Sequence, residues 1–268
     1  MNIQKKYVKI AKEFIKPFIK DKNIIGITLN GGISRGTGDV FSEIDIHFIV
    51  KDKNKSKNLP PRISGLGGDI SINGVWFDIS IDEINEERRK EYNMDHKWDM
   101  SQCKILFERN KAITNLIKQK VKFNKEEKKK LAWNYGLIGH WSIELAEIFV
   151  KRGDIINSHL LINNALDAFV NKYFIINNEF IPHFKWKYYY FKKLKKPSRK
   201  IKNAIFEAYK IRTYSKQELK IRLKIVKEII IHKGFREKIG SYHQQDLGAI
   251  KNFIRSLKRG INYSNPFK

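Results

Sequence analysis

The stretch that decides the fold is Leu29-Asn-Gly-Gly-Ile-Ser-Arg-Gly-Thr-Gly-Asp-Val-Phe-Ser-Glu-Ile-Asp-Ile-His47. The apolar run Ile24–Leu29 leads into it and predicts a buried strand over residues 23–30. A glycine-rich turn over residues 31–38 follows, and residues 44–50 have the pattern of a second strand. Glycines let the backbone approach a ligand closely and leave N–H groups free to bind phosphate oxygens.

Three carboxylates near this turn indicate a metal site. Residues i and i+2 of a strand point to the same face, so Glu43 and Asp45 project together. Carboxylates that close repel each other unless a cation lies between them, and Mg²⁺ is the usual cation where the substrate carries phosphates. Asp78 lies in a predicted hairpin over residues 69–81, which turns at Asn73-Gly74. If its strand pairs beside the first two carboxylates, Asp78 can complete the site or act as a base.

The spacing of these residues resembles that of the nucleotidyltransferase superfamily, the group with a DNA-polymerase-β-like catalytic core. The family pattern has a glycine followed by Gly or Ser, two acidic residues about ten positions later and a third acidic residue on a later strand. Smaller members also carry an Arg-Gly pair. Within residues 24–81, this pattern is filled in order by Gly31, Gly32, Arg35-Gly36, Glu43, Asp45 and Asp78.

The resemblance implies a Mg²⁺-dependent enzyme. It would transfer a nucleoside monophosphate from an NTP, with ATP favoured, to an acceptor hydroxyl and release pyrophosphate, using one or two Mg²⁺ ions. The residues implied as catalytic and metal-binding are Glu43, Asp45 and Asp78, and those implied as nucleotide-binding are Gly31, Gly32, Ser34, Arg35 and Ser42.

Two positions depart from the family pattern. Gly32 stands where Ser is frequent, which removes a hydroxyl contact to a terminal phosphate, and Ser34 is the candidate to replace it. Glu43 stands where Asp is usual, which lengthens the metal ligand by one methylene group. These departures keep a non-catalytic nucleotide-binding protein open as an alternative.

The pattern of the chain changes after residue 112, where strand signals give way to long helical segments. We therefore expect an α+β protein, with a catalytic α/β domain containing a small mixed sheet over residues 1–112 and an all-α helical bundle over residues 113–268. The other predicted elements are a strand over 104–107 and helices over 3–20, 82–91, 125–151, 154–176, 184–194, 199–212, 215–234 and 243–259.

The helical half carries segments that bear on the acceptor. They are Trp141-Ser-Ile-Glu-Leu-Ala, Lys151-Arg-Gly-Asp154, Asn177-Asn-Glu-Phe-Ile-Pro182 and Lys185-Trp186. They resemble the helical domain of bacterial and archaeal relatives of lincosamide and aminoglycoside nucleotidyltransferases, which implies a small hydroxylated acceptor bound by this domain. Asp154 also stands where a helix N-cap belongs, and Trp186 is expected in the core. The candidate acceptor-binding residues are Glu144, Asp167 and Lys185.

The chain is strongly basic, with 54 Lys and Arg against 28 Asp and Glu and a net charge of +26. Such a field attracts phosphates, nucleic acid or anionic lipid, which keeps RNA, such as tRNA, or a protein open as the acceptor. The favoured interpretation is compositional bias on solvated faces. The run Lys192–Lys202, with seven basic residues and no acid, is likewise interpreted as a solvated connection between helices.

The composition also indicates the cellular compartment in which the protein is expected. The single cysteine, Cys103, excludes an internal disulfide and a cysteine metal cluster within the sequence and fits a reducing compartment. No segment approaches 18 consecutive apolar residues, and no signal-peptide pattern is present at the N-terminus. We expect a cytoplasmic protein without a membrane partner, either a monomer or a homodimer.

Overall fold

The computed structural model describes residues 3–55, 59, 68–72 and 74–233. The chain forms two compact units. The first, here called the sheet unit, consists of Met1–Lys122 and Phe180–Trp186. The second, the helical unit, consists of Phe123–Glu179 and the described residues from Lys187 onward.

The sheet unit contains a mixed sheet of five strands in the described residues, in the order β3-β4-β2-β1-β5. β2 pairs with β4 in parallel, and the other neighbouring strands pair antiparallel. The predicted strands and hairpin are therefore present. The strands are β1 (Ile24–Leu29), β2 (Ile44–Val50), β3 (Gly68–Ile72), β4 (Val75–Glu83) and β5 (Lys104–Glu108).

Several helices accompany the sheet. The first ends earlier than the predicted helix over 3–20, because the position before Pro17 disfavours helical backbone, and a 3₁₀ turn follows at Phe18–Lys20. The second, fourth and fifth were not among the predicted helices. The helices are α1 (Ile3–Ile15), α2 (Gly31–Arg35), α3 (Ile84–Arg89), α4 (Met94–Gln102) and α5 (Ala112–Lys120).

Helix α5 is part of the sheet unit, although the predicted domain boundary lies at residue 112. Its residues Ile113 and Leu116 are buried in a cluster with Ile49. Ile113 also packs closely on Gly26 of β1, since a Cβ added to the glycine would lie 2.2 Å from Cγ1 of Ile113. Apolar packing therefore holds this helix to the sheet and moves the limit of the compact unit to residue 122.

The remaining described helices agree with the predicted helical segments, which confirms the α+β fold. The last predicted helix, over 243–259, lies outside the described residues. None of the helices in the described part of the chain combines the length and the apolar character that a membrane span needs. The helices are α6 (Lys125–Arg152), α7 (Ile155–Ile176), α8 (Phe184–Lys193), α9 (Arg199–Tyr209) and α10 (Lys216–Lys233).

Capping residues fix the ends of the two longest helices. The Asn124 side chain accepts a hydrogen bond from the backbone of Glu126 at 2.9 Å at the start of α6. Gly153 ends α6 in the left-handed conformation, with φ of 80°. Asp154 then caps α7, because its carboxylate accepts from the Asn157 N–H at 3.0 Å. The N-cap interpretation of Asp154 is therefore confirmed.

Gly139 lets α6 approach α7 closely, and replacing it tests this packing. A Cβ at Gly139 would lie 2.5 Å from the Phe169 ring. Overpacking of this kind costs about 1–3 kcal/mol, more than the gain of about 1 kcal/mol in helix propensity. We expect Gly139→Ala to lower the free energy of unfolding in urea titrations. The exposed Asn134→Ala in the same helix should be neutral or stabilising. Equal effects of both variants would contradict the close packing.

Candidate active site

Three carboxylates converge where β2 begins. Asp45 and Asp78 are direct register partners, because β2 and β4 run parallel. Glu43 precedes β2 and lies two residues from Asp45. Each of the three side chains offers a carboxylate oxygen, and these oxygens lie within 4.8 Å of one another. We call Glu43, Asp45 and Asp78 the acidic triad.

Gly31 lets the Asp45 carboxylate pack directly against the backbone of the turn. It begins α2 with φ of 63°, a left-handed value that side chains disfavour. A Cβ at this position would lie 1.7 Å from Oδ2 of Asp45. The neighbouring Asn30 N–H donates to the Asp45 carbonyl at 2.9 Å, which fixes the turn against β2. Any side chain at position 31 would therefore displace the Asp45 carboxylate.

A cavity of about 590 Å³ contains the triad in its wall. All the described residues that line it belong to the sheet unit. They come from the turn between Asn30 and Ser42, from the two strands of the triad, from Asn93 and α4, and from the segment Phe180–Trp186. The volume is in the range of sites for small molecules and cofactors.

Four of the five predicted nucleotide-binding residues line this cavity, namely Gly31, Gly32, Arg35 and Ser42. Ser34 does not. Its side chain is buried, and its hydroxyl donates to the carbonyl of Gly31 at 2.9 Å. Because this hydroxyl bonds within α2, Ser34 is not positioned to replace the hydroxyl that a serine at position 32 would provide.

Arg35 ties the glycine turn to α4. Its side chain is 4% exposed, and Nη1 donates to Oδ1 of Asp99 at 2.7 Å. The guanidinium lies 4.4 Å from the ring centroid of Trp98 and 5.8 Å from that of Trp186. Asn30 adds a hydrogen bond from Nδ2 to the other Asp99 oxygen at 3.2 Å. These contacts hold the turn in place, which is a positioning function.

Burial and the neighbouring negative charges raise the pKa of Asp45 to about 7. Burial is the largest cause, since it penalises the charged carboxylate, and repulsion from Glu43, Asp78 and Asp99 adds to it. The positive charge of Arg35 opposes the rise. A bound cation would relieve both the burial cost and the repulsion.

The residues of the triad fit a hard divalent cation. In the described part of the chain, the donors that converge here are carboxylates alone, and oxygen donors suit Mg²⁺ or Mn²⁺ better than zinc or copper. The missing side chain of Gly31 is what lets the Asp45 carboxylate take its place in the triad. The triad is therefore the candidate metal centre.

The three predicted acceptor-binding residues lie in different parts of the chain. Lys185 lines the cavity of the sheet unit. Glu144 and Asp167 belong to the helical unit. There the Asp167 carboxylate accepts from Nζ of Lys187 at 2.9 Å and from the Tyr188 hydroxyl at 3.2 Å, so it is engaged within its own unit.

Sequence reasoning missed several residues that line the cavity. His96 and Trp98 come from the unpredicted helix α4, and His183 and Trp186 come from the segment that returns to the sheet unit. Trp186, expected in the core, is a wall of the cavity. The available local signal was Asn93, which caps α4 by accepting from the His96 N–H at 3.0 Å.

Comparison with known proteins gives a structural likeness without a family match. No protein-family model and no curated protein matches the chain. Among solved structures it is similar to a nucleotidyltransferase-like protein from Exiguobacterium sibiricum 255-15, with 12% identity and a TM-score of 0.46. The likeness covers 93% of this chain and 90% of that chain. A likeness at this level does not identify the function, which depends on the residues of the site.

Two neighbouring glycines provide a matched test of the cavity. Gly31→Ala would strain the backbone and push the Asp45 carboxylate aside, so we expect binding of Mg²⁺ to weaken at least about tenfold. Gly32→Ala should leave binding within about twofold, since its Cβ would lie 3.7 Å from the nearest atom, an ordinary contact. Isothermal titration with Mg²⁺ measures both. Unchanged binding in Gly31→Ala would contradict the role of the glycine.

The raised pKa of Asp45 predicts a pH dependence of stability without metal. The folded protein keeps this proton up to about pH 7, whereas the unfolded chain releases it near the ordinary value of 3.8. The folded state therefore binds more protons in this window, and its stability falls as the pH rises from about 4 to 7, by on the order of 2–4 kcal/mol.

Asp45→Asn removes this titration. In EDTA, the free energy of unfolding of the variant minus that of the wild type should be larger at pH 8 than at pH 4. The substitution itself adds a difference that does not change with pH. Urea titrations across this range measure the difference. Parallel profiles for the two proteins would show that Asp45 does not carry the raised pKa.

Proposed function

We propose that the chain transfers a nucleoside monophosphate from an NTP, with ATP the favoured donor, to an acceptor hydroxyl and releases pyrophosphate. The observation that supports this most strongly is the acidic triad, whose oxygens lie within 4.8 Å of one another in the wall of the cavity. Glu43, Asp45 and Asp78 would hold one or two Mg²⁺. The metal would neutralise charge that develops on the phosphoryl oxygens and the leaving pyrophosphate.

The glycine turn would hold the triphosphate. Gly31 and Gly32 form the first turn of α2, where backbone N–H groups have no partner within the helix and can donate to phosphate oxygens. Arg35 and Asp99 keep this turn fixed against α4. Much of the catalysis would come from such positioning.

Asp78 would complete the metal site or accept the proton of the acceptor. In the reaction, the acceptor oxygen forms a bond to the α-phosphorus, and the bond from that phosphorus to the oxygen bridging the β-phosphorus breaks. The hydroxyl proton passes to a carboxylate oxygen of Asp78, which lies in the cavity wall opposite Asp45 in the strand register.

The charge of the cavity supports a small, hydroxylated and cationic acceptor of the aminoglycoside or lincosamide type. Among the described residues, six carboxylates line the cavity against two permanent cations, Arg35 and Lys185. Asp39 and Asp95 are carboxylates outside the triad that could pair with amino groups. A polyanionic RNA would meet repulsion from the same wall, so the RNA acceptor is the weaker alternative.

Pyrophosphate release tests the proposal. The chain is mixed with Mg²⁺, each common NTP and an acceptor panel of aminoglycosides, lincosamides and an RNA with a free 3′ hydroxyl. Asp45→Asn and Asp78→Asn should each lower kcat/KM by on the order of 10²–10³-fold or more. Glu126→Gln, an exposed carboxylate at the start of α6, is the matched control and should keep full turnover.

The outcomes separate the alternatives. Turnover that persists in both triad variants would overturn the assignment of the site. Turnover on the RNA alone would replace the small-molecule acceptor by RNA. Binding of Mg²⁺ and NTP without pyrophosphate release on any acceptor would favour the non-catalytic alternative.

A further inference from the structure

A second cavity, of about 780 Å³, lies within the helical unit. It is lined by the last turns of α6 and by one side of α10. We call it the lysine groove, because its described lining contains five lysines and two acids. These residues are Lys151, Lys216, Lys220, Lys224 and Lys227 on the one hand, and Glu147 and Glu228 on the other.

The positive charge of the lysine groove is largely uncompensated. Lys227 forms an ion pair with Glu147. Within the described part of the chain, the ammonium groups of Lys151, Lys216, Lys220 and Lys224 form no ion pair. A concave surface of one charge focuses the electric field and concentrates ions of the opposite sign. The groove is therefore suited to an anion.

The spacing of the lysines favours a ligand with repeated charges. Lys216, Lys220 and Lys224 follow one another at four-residue intervals on α10, so they share a face of the helix. At a rise of about 1.5 Å per residue, neighbours are about 6 Å apart and the row spans about 12 Å. A single carboxylate or phosphate would neutralise only part of this row.

The lining favours a nucleic-acid backbone over an acidic peptide. The apolar floor consists of Val150 and Leu223, each only 7% exposed, which leaves no pocket for the apolar anchors of a bound helix. The lining residues are helical, so they present no strand edge to an extended peptide. None of the described residues that line the groove is aromatic, so bases would not stack on them and contacts would be to phosphates.

Two other basic segments are less suitable, one as an occupant of the groove and the other as an alternative site for the phosphates. Residues 234–268 carry seven Lys and Arg against two acids, so their charge opposes occupation of the groove by this segment. The basic run Lys192–Lys202 uses part of its charge locally. Lys202 donates to the Lys192 carbonyl at 2.9 Å, and Lys193 donates to the Tyr189 hydroxyl at 2.8 Å.

We propose that the lysine groove binds the phosphate backbone of a double-stranded nucleic acid. The ligand is a partner of the helical unit and not the acceptor of the transfer reaction, whose cavity is acidic. The proposal does not depend on catalysis, because it rests on the charge and spacing of the groove alone.

Fluorescence anisotropy on the full chain tests the proposal with labelled duplexes of about 16 base pairs, one RNA and one DNA of the same sequence, between about 50 and 200 mM salt. The triple variant Lys216→Gln/Lys220→Gln/Lys224→Gln should bind at least about tenfold more weakly. Its plot of log affinity against log salt should have a slope that is less steep by about three. For Lys220→Gln alone, this slope should be less steep by about one. Circular dichroism confirms that the variants are folded.

The matched control is Lys5→Gln/Lys9→Gln/Lys12→Gln, which removes the same charge at similar spacing from an exposed face of α1. It should keep the salt slope within about one. Equal losses in both triple variants would overturn the proposal, since net charge alone would then explain binding. An unchanged slope in the groove variants, or displacement of the duplex by poly-glutamate at the same charge concentration, would also overturn it. Tighter binding of one duplex identifies whether RNA or DNA is the preferred source of the phosphates.

Discussion

The parallel pairing of β2 with β4 places Asp45 directly beside Asp78, and the site depends on this arrangement. Two carboxylates side by side in a partly buried position repel each other, and Glu43 adds a third charge. The strands keep the side chains together because their backbones are locked in register with apolar neighbours such as Ile44 and Phe77. The sheet therefore holds negative charges where a cation can use them.

The surrounding structure maintains this unfavourable arrangement through contacts outside the triad. Gly31 can lie against the Asp45 carboxylate because it has no side chain, and Arg35 ties the glycine turn to Asp99 on α4. Local features that lower stability are common at functional sites, where rigid neighbours hold reactive groups in place. The same chain, with its net charge of +26, thus contains an acidic cavity in one unit and a lysine groove in the other.

The parts of the fold that follow local rules could be predicted from the sequence. The α+β order, the glycine turn and the hairpin depend on periodicity and turn chemistry within a few residues. The convergence of Glu43 and Asp45 follows from the two-residue repeat of a strand, and Asp78 from the hairpin beside it. The residues of the triad could therefore be predicted from the sequence.

The missing parts depend on contacts that are distant in sequence. The segment Phe180–Trp186 belongs to the sheet unit although the helix α7 precedes it, and no local pattern indicates this return. Helix α5 packs on the sheet through Ile113, whose partner Gly26 is far along the chain. Ser34 has the residue type of a phosphate ligand, yet its hydroxyl bonds to the Gly31 carbonyl.

The central claim is that the triad forms one divalent-cation site, and diffraction from crystals soaked in Mn²⁺ tests it most directly, since Mn²⁺ accepts the same oxygen ligands as Mg²⁺. Data collected near the manganese absorption edge locate the ion without reference to activity. We expect an anomalous peak about 2.0–2.3 Å from carboxylate oxygens of Glu43, Asp45 and Asp78. A manganese peak elsewhere in the molecule, with none at the triad, would contradict it.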